Sequence, residues 1–215
     1  MSGVEVVGWA GAVSGTVLGV PQMVRLLRTR RVDGLSLPAW QATLVVNLGW
    51  TAHGIGIGQL PQVLTSALSL GSTVPILILM ARELRRRVVL VVLPGLLAAV
   101  VLISIDQLLG TAAFGIAVLV PTLVASAGQT LELVRSERIV GVSVMFLVLA
   151  VVNQGLWLTW ALLLPDAGTM IAAAVTGTIS VFNLTWWSLR SLGLRPLRRD
   201  RRPGTSPIDA QRGIR

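Results

Sequence analysis

The sequence predicts an all-α integral membrane fold of seven spans, on three observations. Hydrophobic residues make up 53% of the 215 positions and charged residues 13%, with a mean hydropathy of +0.79; a soluble domain carries about 25% charged residues. Apolar runs close to the roughly 20 residues that cross a bilayer recur along the chain. All 18 basic residues are arginines, and they fall at alternate junctions between those runs.

The first span is predicted over residues 4–24, with Pro21-Gln22 near its end and Arg25, Arg28, Arg30 and Arg31 after them. The second, 37–57, carries Asn47, Trp50 and His53 inside an otherwise apolar run. The third, 60–81, opens with Pro61-Gln62, where proline suits the first turn of a helix, and is followed by Arg82, Arg85, Arg86 and Arg87. The fourth, 88–105, is the shortest. The fifth, 108–134, holds Pro121 and Gln129 and leads to Arg135 and Arg138. The sixth, 142–164, contains Asn153, Gln154, Trp157, Thr159 and Trp160; the seventh, 167–189, contains Thr176 and Asn183. Eight arginines follow, from Arg190 to Arg215, in a Pro/Gly/Arg-rich tail whose composition predicts disorder against anionic lipid. The opposite junctions carry Glu5, Asp106 and Asp166 and no arginine. Because basic loops stay in the cytoplasm, the N-terminus is expected outside and the C-terminus inside.

Composition also excludes. Cysteine is absent, so there is no disulfide framework and no thiolate site. The arginines sit in short juxtamembrane loops with no accompanying domain, which argues against nucleic acid despite a net charge of +9. The start of the chain lacks a basic n-region, so its first apolar run is expected to be retained. "HGIGIG", residues 53–58, lacks the Lys-Ser/Thr and the strand context of a phosphate loop. No paired carboxylates, Cys/His cluster or Ser-His-acid set stands out within the spans, so no enzyme activity, cofactor or metal is expected.

The chain repeats itself. Shifted by 107 residues, "QMVRLLRTRRVDGLSL" from Gln22 falls on "QTLELVRSERIVGVSV" from Gln129, with Leu26/Leu133, Arg28/Arg135, Arg31/Arg138, Gly34/Gly141 and Ser36/Ser143 also identical. In the same register Trp50 meets Trp157, Asn47 meets Gln154, and His53 meets Trp160. A unit of three helices would be inverted in a direct tandem; one intervening helix restores the orientation. The predicted organisation is therefore 3+1+3: residues 1–85 the first repeat, 86–107 a linker helix, 108–190 the second repeat, and 191–215 the basic cytoplasmic tail. Parallel repeats of this kind put the substrate path at their interface.

Pro21-Gln22, the basic turn and Gly34-Leu35-Ser36 resemble the PQ-loop motif, and two triplets around a linker helix resemble the PQ-loop and SWEET transporter superfamily. The resemblance covers residues 4–190, and its second motif is degenerate, with Gly128-Gln129 in place of Pro-Gln. It implies a carrier of small polar solutes working by alternating access, sugar first; a proton-coupled amino-acid carrier is the alternative, and a seven-span receptor or sorting protein without transport the second. In SWEET-like members a Trp in the second helix of a repeat and an Asn in the third contact sugar. Trp157 matches that Trp and Trp50 is its counterpart, while the Asn positions fall near Leu68 and Ala174.

The expected solute contacts are Trp50, Trp157, Asn47 and Gln154, with His53, Trp160, Asn153 and Asn183 as further candidates. An aromatic face packs on the C–H face of a solute, and polar groups inside a span turn away from lipid. Packing of these groups helix to helix is the competing reading. Pro21 with Gln22, and Gln129 with Pro121, are the candidate gate hinges, because proline breaks a helix hydrogen bond and kinks the span. The expected partners are the solute and membrane lipid, and a homo-oligomer is admitted. The all-Arg, Ala/Val/Leu-rich usage points to a bacterial plasma membrane.

Overall fold

The computed structural model describes residues 2–29, 35–136 and 143–197, without the side chains of 20–23, 25–27 and 29. The expectations for Arg30, Arg31, Gly34, Arg138, Gly141, the side chains of Pro21 and Gln22, and the tail from residue 198 lie outside the described residues. Among those described, every regular element is a helix: α1 (Gly3–Thr29), α2 (Leu37–Gly56), α3 (Leu60–Glu83), α4 (Val88–Leu109), α5 (Thr111–Ala117), α6 (Leu119–Arg135), α7 (Val144–Leu163) and α8 (Ala167–Ser191).

Local chemistry sets these boundaries. Ser36 caps α2 by accepting a hydrogen bond from the Ala39 amide, and Ser143 caps α7 by accepting one from Phe146. The Ser36/Ser143 identity of the duplication is thus a shared helix start. Asp166 caps α8 through the amides of Gly168 and Thr169. Gly110 separates α4 from α5 at φ +87°, a backbone that a side chain opposes.

Two boundaries differ from expectation. The fourth span was expected to stop at Ile105, because Asp106 and Gln107 are polar, yet α4 continues to Leu109. Asp106 is buried and paired with His53, so its carboxyl group belongs inside the bundle and not in a loop. The fifth span is two helices, interrupted at Val118. Pro121 has no amide to give the Ala117 carbonyl, and its ring crowds that same carbonyl, which places the interruption there. α1, in contrast, is helical across Pro21.

Among the described residues, five stretches are long and apolar enough to cross a membrane: α3, α4, α5 with α6, α7 and α8. The apolar part of α1, Gly3–Gly19, is shorter. α2 carries Gln41, Asn47 and His53, which lower its hydropathy, and it packs against α3, α4 and α6. The chain is an integral membrane protein. Its outer surface is apolar: Val89, Leu97 and Val101 of α4 are each at least 58% exposed, as a lipid-facing helix requires.

The helices pack reciprocally. α3 lies against both α1 and α2, and α8 lies against α7 and both halves of the broken span. The two groups meet through α1 on α7 and α2 on α6, while α4 leans on α2 and α5. Small residues bring the backbones together. A Cβ on Gly8 would stand 2.8 Å from Trp160 Nε1, and one on Gly11 would stand 3.1 Å from Trp157 Cε2, so α1 seats the two tryptophans of α7 in a glycine groove. Gly115 of α5 and Gly168 of α8 touch backbone to backbone in the same way. The main core joins Val45, Ala99, Leu102, Phe114, Val118 and Ala172 from α2, α4, α5, α8 and the α5–α6 break, with Trp50 packed on it.

Candidate functional site

A cavity of 190 Å³ lies between the two helix groups. α2 contributes Val46 and Trp50; α3 contributes Gln62, Thr65 and Ser66; α6 contributes Thr122. From α7 come Asn153, Gln154 and Trp157, and from α8 Thr169, Ala172, Ala173 and Thr176. Two aromatic rings thus share the lining with eight neutral hydrogen-bonding side chains, and none of the lining residues is charged.

Much of the lining is held in place by its own helices. The hydroxyls of Thr65, Thr122 and Thr176 donate to the carbonyls of Pro61, Val118 and Ala172, one turn back. Those hydroxyl oxygens keep acceptor capacity. Asn153 Nδ2 donates to Gly11 O at 3.0 Å and to Ser14 Oγ at 2.7 Å, tying α7 to α1. Gln62 Nε2 donates to Thr169 Oγ1 at 3.3 Å, tying α3 to α8. Gln62 Oε1 is buried and accepts no hydrogen bond. A buried acceptor without a partner is costly, and here it lines a cavity that can supply one.

Of the residues expected to bind solute, Trp50, Trp157, Gln154 and Asn153 line this cavity. The other four do not. Asn47 is half-buried and donates to Thr73 Oγ1 at 3.2 Å, linking α2 to α3. Trp160 is fully buried, edge-on to Trp157 at 5.5 Å and against Gly8. Asn183 is buried farther along α8, with its Oδ1 unpartnered. His53 is fully buried outside the lining, between two carboxylates. Of the expected hinges, Pro121 lies against a separate apolar cleft with Pro94 and Gly95. Gln129 is half-exposed on α6.

The sequence reading missed Gln62, Ser66, Thr65, Thr122 and Thr169. In the sequence Pro61-Gln62 marks only a helix start, and Pro61 does occupy that place in α3. Serines and threonines in a span carry no periodic signal that separates lining from packing. It also missed Asp106 and Asp166 as partners of His53. His53 Nδ1 lies 2.9 Å from Asp106 Oδ2, and Nε2 lies 3.2 Å from Asp166 Oδ2. The ring stacks on Phe114 at 4.7 Å and meets Trp50 edge-on at 5.5 Å. Burial works to raise the pKa of Asp166, in the α7–α8 turn; the hydrogen bonds from His53 and from the hydroxyl and amide of Thr169 outweigh it and hold the carboxyl at about 2.

At the opposite end, Arg190 is buried, unlike a headgroup anchor. Its guanidinium donates to Leu133 O and Ser136 O, and Trp186 Nε1 also donates to Leu133 O. The end of α6 offers unpaired carbonyls, and a cation there also meets the negative end of the helix.

No family model matches the chain, and no curated protein matches it in sequence. Its structure is similar to that of a eukaryotic SWEET transporter solved at 3.7 Å resolution, with a TM-score of 0.70 over 89% of this chain and 100% of that one. The two share 11% sequence identity, so the likeness is one of fold: the chain is an all-α membrane bundle of SWEET-like architecture.

Proposed function

We propose that the chain is a membrane transporter that moves a small neutral polar solute, a sugar first, by alternating access between two three-helix repeats. One observation carries the reading: a polar, uncharged cavity between the helix groups, lined by side chains from both. At 190 Å³ it is smaller than the roughly 300–1,000 Å³ of drug-sized sites, which suits a small solute. Trp50 and Trp157 offer ring faces to C–H groups, and the threonines, Ser66, Asn153, Gln154 and Gln62 offer hydrogen bonds to hydroxyls. An amino acid would bring an ammonium and a carboxylate into a lining with no charged partner for either.

In this reading α1–α3 form the first repeat, α4 the linker and α5–α8 the second. The duplication centred on Gln22 and Gln129 supports it, as does the reciprocal packing of α1 on α7 and α2 on α6. The N-terminus faces out and the C-terminus faces the cytoplasm of a bacterial plasma membrane. Pro121, at the interruption of the fifth span, and Pro21, in the first span, act as hinges; Gln22 follows Pro21 directly, and Gln129 stands eight residues beyond Pro121. Purified protein in proteoliposomes should take up at least one member of a panel of labelled sugars faster than protein-free vesicles, and charged amino acids no faster. Uptake of amino acids alone would favour the second reading, and uptake of neither would count against transport of both classes.

A further inference from the structure

His53 is the single histidine of the chain, and it joins three separate elements. Its Nδ1 is 2.9 Å from a carboxylate of α4 and its Nε2 is 3.2 Å from the carboxylate that caps α8. A neutral imidazole has one N–H, so its second nitrogen presents a lone pair. Placed between two carboxylates, that lone pair would face an oxygen lone pair. The geometry closes only when one further proton is present, on the ring or on a carboxylate. Asp166 already accepts from the amide and hydroxyl-bearing residue Thr169, which favours its ionised form. The proton then belongs to His53 or Asp106. The charged groups facing the ring are Asp106 from α4 and Asp166 before α8; α5 presents Phe114, α8 presents Gly168, and α2 presents Trp50. Among the described residues no His/Cys/Asp/Glu group is arranged to hold a metal ion, and both ring nitrogens are engaged by hydrogen bonds.

The cluster also connects to the cavity. Asp166 accepts from the Thr169 amide at 2.9 Å, Thr169 Oγ1 accepts from Gln62 Nε2, and both Thr169 and Gln62 line the cavity. Trp50, one turn from His53, lines it too.

We infer that His53, Asp106 and Asp166 form a proton-binding site that latches this end of the bundle: with the proton bound, α2, α4 and α8 are held together and the cavity is shut off at this end. This regulation rests on the transport reading of the cavity. When the proton leaves, one charge-assisted hydrogen bond is lost and two carboxylates face a neutral ring, so the three elements part. The linker helix thereby becomes a working part of the gate through Asp106.

The absence of cysteine permits a direct test. A single thiol is placed in the cavity as Ser66→Cys, or Thr122→Cys should the first not fold, in the full chain in liposomes. A membrane-impermeant thiol reagent is applied from the His53 side across a pH series. Rates are normalised to the same thiol carrying His53→Gln, which removes the intrinsic pH dependence of the thiolate. Labelling should rise about tenfold on going to alkaline pH, the shift expected from losing one charge-assisted hydrogen bond. Its midpoint should coincide with the titration of the ¹⁵N signals of the lone histidine ring, and Asp106→Asn should move both together. Labelling that does not vary with pH overturns the latch alone, as does a pH profile unrelated to the ring titration. No labelling at any pH from either side overturns the accessible cavity and the latch with it.

Discussion

Gln62 is buried with its carbonyl oxygen unpaired, at the rim of a polar cavity. Replacing it with Leu removes the orphan acceptor and one hydrogen bond to Thr169, a bond of a kind worth about 0.6 kcal/mol between membrane helices. Gln62→Leu should therefore leave thermal stability in detergent nearly unchanged while solute uptake falls tenfold or more. A large loss of stability with normal uptake would make Gln62 a packing residue. The tryptophans are a different case, because each also packs: Trp50 meets Phe114 edge-on at 4.8 Å, and Trp157 lies on Gly11. Trp50→Ala and Trp157→Ala should each abolish most uptake and lower stability by up to about 3 kcal/mol, the low end for truncating a buried aromatic, with the protein still inserted and monodisperse. Normal uptake by both variants would put the binding site elsewhere.

Two elements carry consequences of their own. The fifth span is interrupted at Val118, where Pro121 cannot bond Ala117. Pro121→Ala restores that bond and removes the ring clash, a change worth up to about 3 kcal/mol in a helix interior, and should favour the straighter of two states. A bias of about 1.4 kcal/mol changes their ratio tenfold. Initial uptake should slow markedly while equilibrium solute binding changes far less; equal losses in both would mean that Pro121 is not a hinge. In α1 the groove for α7 depends on glycine. Gly11→Ala would push a methyl to 3.1 Å from Trp157, whereas Gly19→Ala meets nothing within 4 Å. Overpacking costs about 1–3 kcal/mol, so Gly11→Ala should lower the melting temperature clearly. Gly19→Ala, a gain in helix propensity, should leave it unchanged or raise it.

For the whole molecule, orientation is the decisive quantity. The arginine-bearing junctions alternate with arginine-free ones, so a reporter active only in the cytoplasm should work when fused after Arg215 and fail when fused before Val4. Activity at both ends would require an even number of spans and would end the 3+1+3 reading. The ends of the bundle also differ in chemistry. One collects His53, Asp106 and Asp166, and the other holds Arg190 on the carbonyls that close α6.

Helix positions and membrane residence were legible in the chain because they depend on local quantities: apolar length, serine caps and the distribution of arginine. The duplication was legible through Ser36/Ser143 and Trp50/Trp157, where the same local role recurs at the same place in each half. Half of the expected solute contacts, Trp50, Trp157, Asn153 and Gln154, line the cavity; only the two tryptophans do so as matched positions of the two halves, since Asn47, the counterpart of Gln154, does not. Tertiary structure decided the rest. A polar side chain in a span turns inward, but only packing selects whether it meets a helix, as Asn47 meets Thr73, or a cavity, as Gln62 does. Asp106 and Asp166 read as loop residues because charge ends an apolar run. Asp166 does lie in the α7–α8 turn and Asp106 lies in α4, but both are buried because His53, 113 and 53 positions away in sequence, stands between them, and such pairing leaves no trace in local composition.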